Sequence, residues 1–349
     1  MPERVQSCTN LVIDPSLRTH DLSVHQKTMS NVAFVFPGQG SQSVGMAAGL
    51  AAASPAAAAV FEAADAALGE AISRLAWDGP EEALNRTENA QPALLATSMA
   101  YLAAIRERWA ALGTPRPAPR FAAGHSMGQY SALVAAGSIS FEDGLRLVRE
   151  RGRQMQASGK GRDGAMAALI GLDDGALPEL VARASAHGVF GVANRNAPGQ
   201  VVVSGERAAI EAGVEIAREL GAKRAIVLPV SVAAHSPLMA EAAEGMRGVL
   251  ADIDFADPEP PLLANADARP ITTGAAARAE LVEHLTAGVD WVRAVESMAA
   301  AGVTTFIEVG PGRVLTGLIK RIAPDAEAVA LDDPAAADRL AVPFATAAV

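Results

Sequence analysis

Val32-Ala-Phe-Val-Phe36 is an unbroken apolar run of five residues. A run that short and that continuous is the pattern of a strand buried on both faces, as in parallel sheets. It stops in Pro37-Gly-Gln-Gly-Ser-Gln42, a loop rich in free backbone N–H groups. Apolar positions at helical spacing follow over 55–70 and 91–112, and Gly113-Thr-Pro115 ends the second stretch. A strand over 120–124 and a helix to Gly137 come next. Ser140-Phe-Glu-Asp143 then reads as a helix start: a hydroxyl N-cap with an acid at N3, although aspartate rather than the capping-box glutamate. Alternation of this kind predicts an α/β fold with a parallel sheet.

From Gly164 the rhythm changes. A strand over Ala165–Ile170, a helix over 174–187, strands over 189–193 and Gln200–Ser204, a helix over 206–220 and a strand over Lys223–Val230 follow one another. This β-α-β-β-α-β order predicts a ferredoxin-like unit inserted into the larger fold. The chain then returns through His235-Ser-Pro-Leu-Met239 to helices and a last strong strand, Thr304–Val309, closed by Gly310-Pro-Gly312. The expected division is a large unit over 29–157 and 232–330, a small one over 158–231, a dispensable and disordered extension over 1–28, and an alanine-rich tail over 331–349.

Composition narrows the function. Of 349 residues half are apolar and 19% charged, as in a globular protein. With 29 basic against 39 acidic residues the formal charge is −10, which argues against nucleic acid as a partner. The single cysteine, Cys8, cannot form a disulfide within the chain or a cysteine-rich zinc site, and it fits a reducing cytoplasm. No apolar run is long enough for a signal or membrane helix, so no membrane partner is expected.

The chemistry centres on Gly124-His-Ser126-Met-Gly128 between a strand and a helix, the G-x-S-x-G nucleophile-elbow pattern. Small residues on both sides permit a sharp turn that lifts Ser126 Oγ clear of the sheet. An ordinary strand–helix turn has the same spelling, so other residues must decide. A serine nucleophile needs a base, and there are six histidines. His187 ends a polar helix and His125 points away from its neighbour Ser126, although it can line a pocket. His235 ends a run of small apolar residues in a loop ahead of a helix, well placed to reach a cleft; a structural histidine is the competing reading. Arg151 falls on the apolar seam Phe141, Leu145, Val148, Met155, whereas Arg149 and Arg153 lie off it and should be solvated. An inward guanidinium requires an anion. An internal salt bridge and a bidentate clamp for a substrate carboxylate fit equally well. The loop at 37–42 lacks the endings of phosphate-binding loops. Its better use is one N–H for an oxyanion, with Met127 supplying the other. Gly310-Pro-Gly312 reads as a plain strand-to-helix turn.

Taken together, these segments resemble the malonyl-CoA:acyl-carrier-protein transacylase family, the acyltransferases of fatty acid and polyketide synthesis. The matching pieces are Phe34-Val-Phe-Pro-Gly-Gln-Gly-Ser-Gln42, Gln91-Pro-Ala-Leu94, Gly124-His-Ser-Met-Gly128, Arg151-Gly152 with Met155-Gln156, Gly164-Ala-Met-Ala167, Pro198-Gly-Gln200, His235 and Glu308-Val-Gly-Pro-Gly312. They occur in the family's order over residues 31–325.

The resemblance implies a hydrolase-like α/β domain with a ferredoxin-like subdomain and the site in the groove between them. It implies Ser126 as nucleophile, His235 as general base and acid, and the backbone N–H groups of Gln39 and Met127 as the oxyanion hole. Arg151 would pair with the free carboxylate of a malonyl group, and Gln91 and His125 would line the acyl pocket. The partners implied are malonyl-CoA and an acyl carrier protein, met by a monomer that needs no cofactor or metal. Three positions depart from the pattern. Gln129 stands where glutamate is common. His284 stands where glutamine is usual; in the family that residue's main-chain carbonyl orients the catalytic histidine, so the backbone role survives while the ring becomes a possible rival titrating group. Arg195, in Asn194-Arg-Asn196, could meet a CoA phosphate or an acidic carrier, or be a solvated loop arginine. Rival functions are a serine thioesterase, with water in place of the carrier thiol, and a silent carrier-docking module. The small residues Val232-Ala-Ala234 leave a substituted malonyl group open.

Overall fold

The computed structural model describes residues 31–113, 117–159, 163–230 and 232–331. The expected extension over 1–28 and the tail beyond Leu331 lie outside the described residues. In chain order the strands are β1 Val32–Phe36, β2 Phe121–Gly124, β3 Gly164–Ile170, β4 Phe190–Ala197, β5 Gln200–Glu206, β6 Arg224–Val227, β7 Leu262–Leu263, β8 Pro270–Ile271, β9 Val289–Asp290, β10 Thr305–Glu308 and β11 Glu327–Ala330. The helices before the small sheet are α1 Ala48–Ala53, α2 Pro55–Leu68, α3 Ile72–Asp78, α4 Glu81–Asn85, α5 Thr87–Ala111, α6 Gly128–Ala135 and α7 Phe141–Ser158. Within and after it come α8 Leu177–Ala184, α9 Arg207–Glu219, α10 Ala240–Ala251, α11 Gly274–Thr286, α12 Trp291–Ala300 and α13 Val314–Ile322.

The large sheet has the order β11-β10-β1-β2-β7-β8, parallel throughout except for β8. Its central strand β1 is buried on both faces, as its unbroken apolar run requires. Val32, Phe34 and Phe36 face one core, with α2, α5, α6 and α7, while Ala33 and Val35 face another under α12 and α13. The hydroxyl cap of Ser140 on α7 is formed, its side chain accepting from Asp143 N–H. At the far end of β10, Glu308 is fully buried and accepts from the N–H groups of Leu315 and Thr316 at the start of α13. Gly310-Pro-Gly312 is therefore the turn into a capped helix.

The small sheet has the order β6-β3-β5-β4-β9. Its first four strands are antiparallel in the ferredoxin-like arrangement, with α8 and α9 on one face. The single helix expected over 174–187 is α8 flanked by short 3-10 turns. The fifth strand, β9, belongs to the returning chain and pairs parallel with β4, Asn194 to Val289 and Arg195 to Asp290. A ladder thus joins the inserted unit to the returning chain.

Arg195 corrects an expectation. It lies on β4, not in a loop, and its guanidinium is held 2.9 Å from Asp290 and 2.8 Å from Asp174. Both carboxylates already occupy it, so it is neither a solvated loop residue nor a free site for a phosphate. Arg149 corrects another. Although off the apolar seam it is buried, 2.8 Å from Glu70 and hydrogen-bonded to Asn89, because α7 packs closely enough on α5 to enclose both flanks of its inner face. Arg153 does stay half-exposed on the outer face.

Candidate active site

The turn after β2 is built as the small residues demand. Ser126 takes φ 53°, a left-handed conformation that costs a non-glycine residue about 1–3 kcal/mol and needs support around it. A Cβ at Gly124 would sit 2.0 Å from the backbone of Gly128, and one at Gly128 2.2 Å from the carbonyl oxygen of Phe36. Glycine is therefore required at both places. Asn265, just after β7, accepts the N–H of Ser126 on its Oδ1 at 2.9 Å. Gln129 fastens the other side: its Oε1 accepts from Gly124 N–H at 3.1 Å and its Nε2 donates to the Leu263 carbonyl at 2.9 Å.

His235 comes to Ser126 from the segment that follows β6. It too has a left-handed backbone, φ 59°, in a turn fastened by Ser236 Oγ donating to the Ala233 carbonyl. Its Nε2 lies 2.8 Å from Ser126 Oγ. Its Nδ1 faces two backbone oxygens, of His284 at 2.6 Å and of Ala287 at 3.1 Å. Carbonyl oxygens only accept, so Nδ1 carries the proton and Nε2 presents a lone pair to the serine. Burial, and next the Arg151 cation, push the pKa of His235 down to about 4. At neutral pH it is an unprotonated base.

Arg151 on α7 is 1% exposed. Among the described residues no carboxylate lies within salt-bridge distance of it. Its Nη1 donates to Gln91 Oε1 at 2.7 Å, and its Nη2 reaches Ser126 Oγ at 3.2 Å and His284 Nε2 at 3.4 Å. The Tyr130 ring centroid is 5.8 Å from the guanidinium carbon, and the buried Nε–H has no partner among the described residues. All these neighbours are neutral. Among the described residues the internal salt bridge that the sequence left open is absent, and the cation stands beside Ser126 Oγ with donors to spare.

Gln91 is fully buried on α5 and touches Arg151 and Met155, so it reaches the site by way of the guanidinium. His125 points away from Ser126, as an elbow neighbour should. Its Nε2 is 2.8 Å from Asn196 on β4 and its ring is 5.7 Å from Trp291, so it links the elbow of the large sheet to the small sheet. Burial lowers its pKa. The Gln39 loop packs against the elbow: a Cβ on Gly38 would lie 2.5 Å from the His125 carbonyl. Among the described residues neither the Gln39 nor the Met127 backbone N–H is engaged in a hydrogen bond, whereas the Ser126 N–H is spent on Asn265. The two proposed donors are free.

Asn265 and Glu280 escaped the sequence reading. Glu280 is buried and its Oε1 accepts the backbone N–H of Asn265 at 2.6 Å, so it holds the residue that holds the nucleophile. Burial pushes its pKa up to about 7. A polar residue closing the short run Pro261-Leu-Leu-Ala-Asn265 was the only signal available. His187, expected to be a helix-end charge, is exposed in the last turn after α8.

A serine hydroxyl against an unprotonated histidine, beside a buried unpaired cation and two free N–H groups, can form and break an ester of an acyl group that carries its own anion. The comparisons with known proteins point the same way. The acyl transferase domain family matches residues 33–331. Malonyl CoA-acyl carrier protein transacylase of Escherichia coli K12 is 46% identical over 308 residues, covering 88% of this chain and 98% of that protein. The protein of that name from Bacillus subtilis 168 is 43% identical, covering 88% and 95%. The acyl-carrier-protein S-malonyltransferase structure from Bartonella henselae superposes with a TM-score of 0.86 at 42% identity, covering 90% of this chain and 99% of that one. A malonyl-transacylase solved in complex with a type II polyketide acyl-carrier protein gives a TM-score of 0.84 at 41% identity, covering 89% and 99%. With elbow, histidine and buried arginine in contact and a match along nearly the whole described fold, the chain belongs to the acyl transferase domain family.

Proposed function

We propose that the chain moves a malonyl group from coenzyme A to the phosphopantetheine thiol of an acyl carrier protein through an ester on Ser126. The observation that carries this reading is the placement of Arg151: buried, unmatched by any carboxylate among the described residues, and 3.2 Å from Ser126 Oγ. A neutral acyl ester gives such a cation nothing to bind, whereas the terminal carboxylate of malonate does.

In the first step Ser126 Oγ attacks the thioester carbon as its proton passes to His235 Nε2. The resulting oxyanion takes the free N–H groups of Gln39 and Met127. The C–S bond then breaks, and the proton on His235 goes to the departing CoA sulfur. In the second step the carrier thiol gives its proton to His235 and attacks the seryl ester, and Ser126 takes that proton back as it leaves. Side chains and two substrates supply every group, so the transfer needs no metal or resident cofactor. The reading is of a cytoplasmic monomer acting on a CoA thioester and a carrier protein. Relatives named for malonyl transfer to a carrier protein and for polyketide biosynthesis support a shared chemistry rather than one pathway.

Intact-protein mass spectrometry after incubation with malonyl-CoA tests the reading. Wild type should gain one malonyl mass and lose it only when carrier protein is added. Ser126→Ala should gain none, and Arg151→Ala should lose malonylation far more than acetylation. Carrier-independent release of malonate would make the chain a hydrolase. An adduct persisting on Ser126→Ala would remove the assigned nucleophile.

A further inference from the structure

We propose that the imidazole of His284 is a positioning residue for Arg151, a neutral acceptor that aims the guanidinium at Ser126 without cancelling its charge. The proposal rests on the carboxylate-clamp reading of Arg151 given above. It concerns the His284 ring, which is distinct from the backbone oxygen that orients His235.

The tautomer follows from the partners. His284 Nδ1 is 2.9 Å from the carbonyl oxygen of Glu280, one turn earlier on α11. A carbonyl accepts only, so Nδ1 carries the hydrogen, and in the neutral ring Nε2 is left with its lone pair. That lone pair faces Arg151 Nη2, which can only donate, at 3.4 Å. A protonated ring would set N–H against N–H. The surroundings agree: the residue is fully buried, with Arg151 and His235 beside it, so its charged form is strongly disfavoured. The expectation of a rival titrating group gives way to a neutral acceptor.

Arg151 needs such acceptors. Its seat offers one oxygen from Gln91, the Ser126 hydroxyl, the His284 nitrogen and the face of Tyr130. A carboxylate in the His284 position would fix the guanidinium just as well. It would also neutralise the charge, and the substrate's carboxylate would have to displace it. A neutral ring, anchored through its far nitrogen to the Glu280 carbonyl, holds direction alone. It leaves the cation's charge for the ligand.

Three variants decide the matter, each read as kcat/KM for acylation by malonyl-CoA and, separately, by acetyl-CoA. His284→Leu keeps the backbone carbonyl that holds His235 and removes only the ring acceptor. Its malonyl constant should fall about tenfold while acetyl changes less than about twofold, the size expected for losing one hydrogen bond to a charged group. His284→Gln, which can present an amide oxygen at similar reach, should recover most of the loss. His284→Glu should lower malonylation further while acetylation persists, because the new carboxylate occupies the cation. Equal losses on both acyl groups in His284→Leu, or no loss on malonyl, overturn the positioning role. Arg151→Ala serves as the separate arm. If it leaves the malonyl-to-acetyl ratio unchanged, the clamp reading itself fails; if it collapses the ratio and His284→Leu does not, only the role of His284 fails.

Discussion

His235 Nδ1 lies 2.6 Å from the backbone oxygen of His284, in the place where a serine hydrolase triad would put a carboxylate. A carbonyl fixes the tautomer as an acid residue would, but it brings no charge to favour the imidazolium. Burial and the Arg151 cation then act on the ring unopposed by any anion, which is why its pKa falls to about 4. When a dicarboxylic acyl group neutralises Arg151, one of these two causes is removed, and His235 becomes a stronger base with its substrate in place.

A pH profile tests that coupling. In the free protein His235 loses its proton near pH 4, so acylation by acetyl-CoA should stay level from pH 8 down to about pH 5. Arg151→Gln removes the cationic cause and raises the His235 pKa toward the ordinary histidine value. Burial still holds the value below that of an ordinary histidine, so the acid limb should move up in pH only part of the way from its wild-type position. The measurement is the initial rate of acetyl adduct formation at each pH. Coincident limbs in the two proteins would uncouple Arg151 from the base.

Glu280 gives a stability prediction of the opposite sign from His235. Its folded pKa is raised from 4.5 to about 7, chiefly by burial. A raised pKa contributes stability in full below the unfolded value and loses it as pH climbs through the folded one. His235, whose folded pKa is depressed, loses stability as pH falls from 6.5 toward 4. Glu280→Gln keeps an oxygen for the Asn265 N–H and removes the buried charge. It should be more stable than wild type at pH 8 by about 1–3 kcal/mol and equal to it near pH 4.5. Urea midpoints at the two pH values check this.

The elbow predicts its own intolerance. Gly128→Ala places a methyl 2.2 Å from the Phe36 carbonyl oxygen, against the backbone of Phe36 and Pro37, with no flexible side chain to yield. The loss of stability should exceed about 3 kcal/mol, read as a large drop in melting temperature or as failure to fold. Gly137→Ala is the control: that glycine has no neighbour within 4 Å of a built Cβ and carries only the backbone strain of φ 69°, so its cost should be near 1 kcal/mol (~1–2).

How much of this could be read from the chain depends on range. β1, β2 and the α7 seam were legible because burial on both faces, or on one helical stripe, writes itself as local periodicity. Ser126 carried a local signature in its glycines, and the inward turn of Arg151 showed as a charge out of place on an apolar seam. What pairs with that charge was invisible, since Gln91 and His284 lie 60 and 133 residues away. The burial of Arg149 failed for the same reason: Glu70, its partner, is 79 residues distant. Strands β7, β8 and β9 are two residues long, too short for any alternation to register. Asn265 matters only because that short β7 places it under the elbow, and a single asparagine after two leucines announces nothing.

Gln129 joins local sequence to this long-range frame and carries the last prediction. Its amide spans β2 and β7, with the oxygen taking Gly124 N–H and the nitrogen giving to the Leu263 carbonyl, and it is fully buried. Only a side chain with one donor and one acceptor fits this bridge. Gln129→Leu leaves a buried N–H and a buried C=O unpaired and should cost about 2–4 kcal/mol. Gln129→Glu can still accept from Gly124 but faces the Leu263 carbonyl with a second oxygen, which is tolerable only while that oxygen is protonated. The glutamate variant should therefore match wild type at low pH and lose stability as pH rises through its elevated carboxyl pKa. Melting temperatures of the three proteins between pH 5 and 8 separate the cases. A glutamate variant whose stability tracks wild type throughout would mean that the amide nitrogen contributes nothing at Leu263.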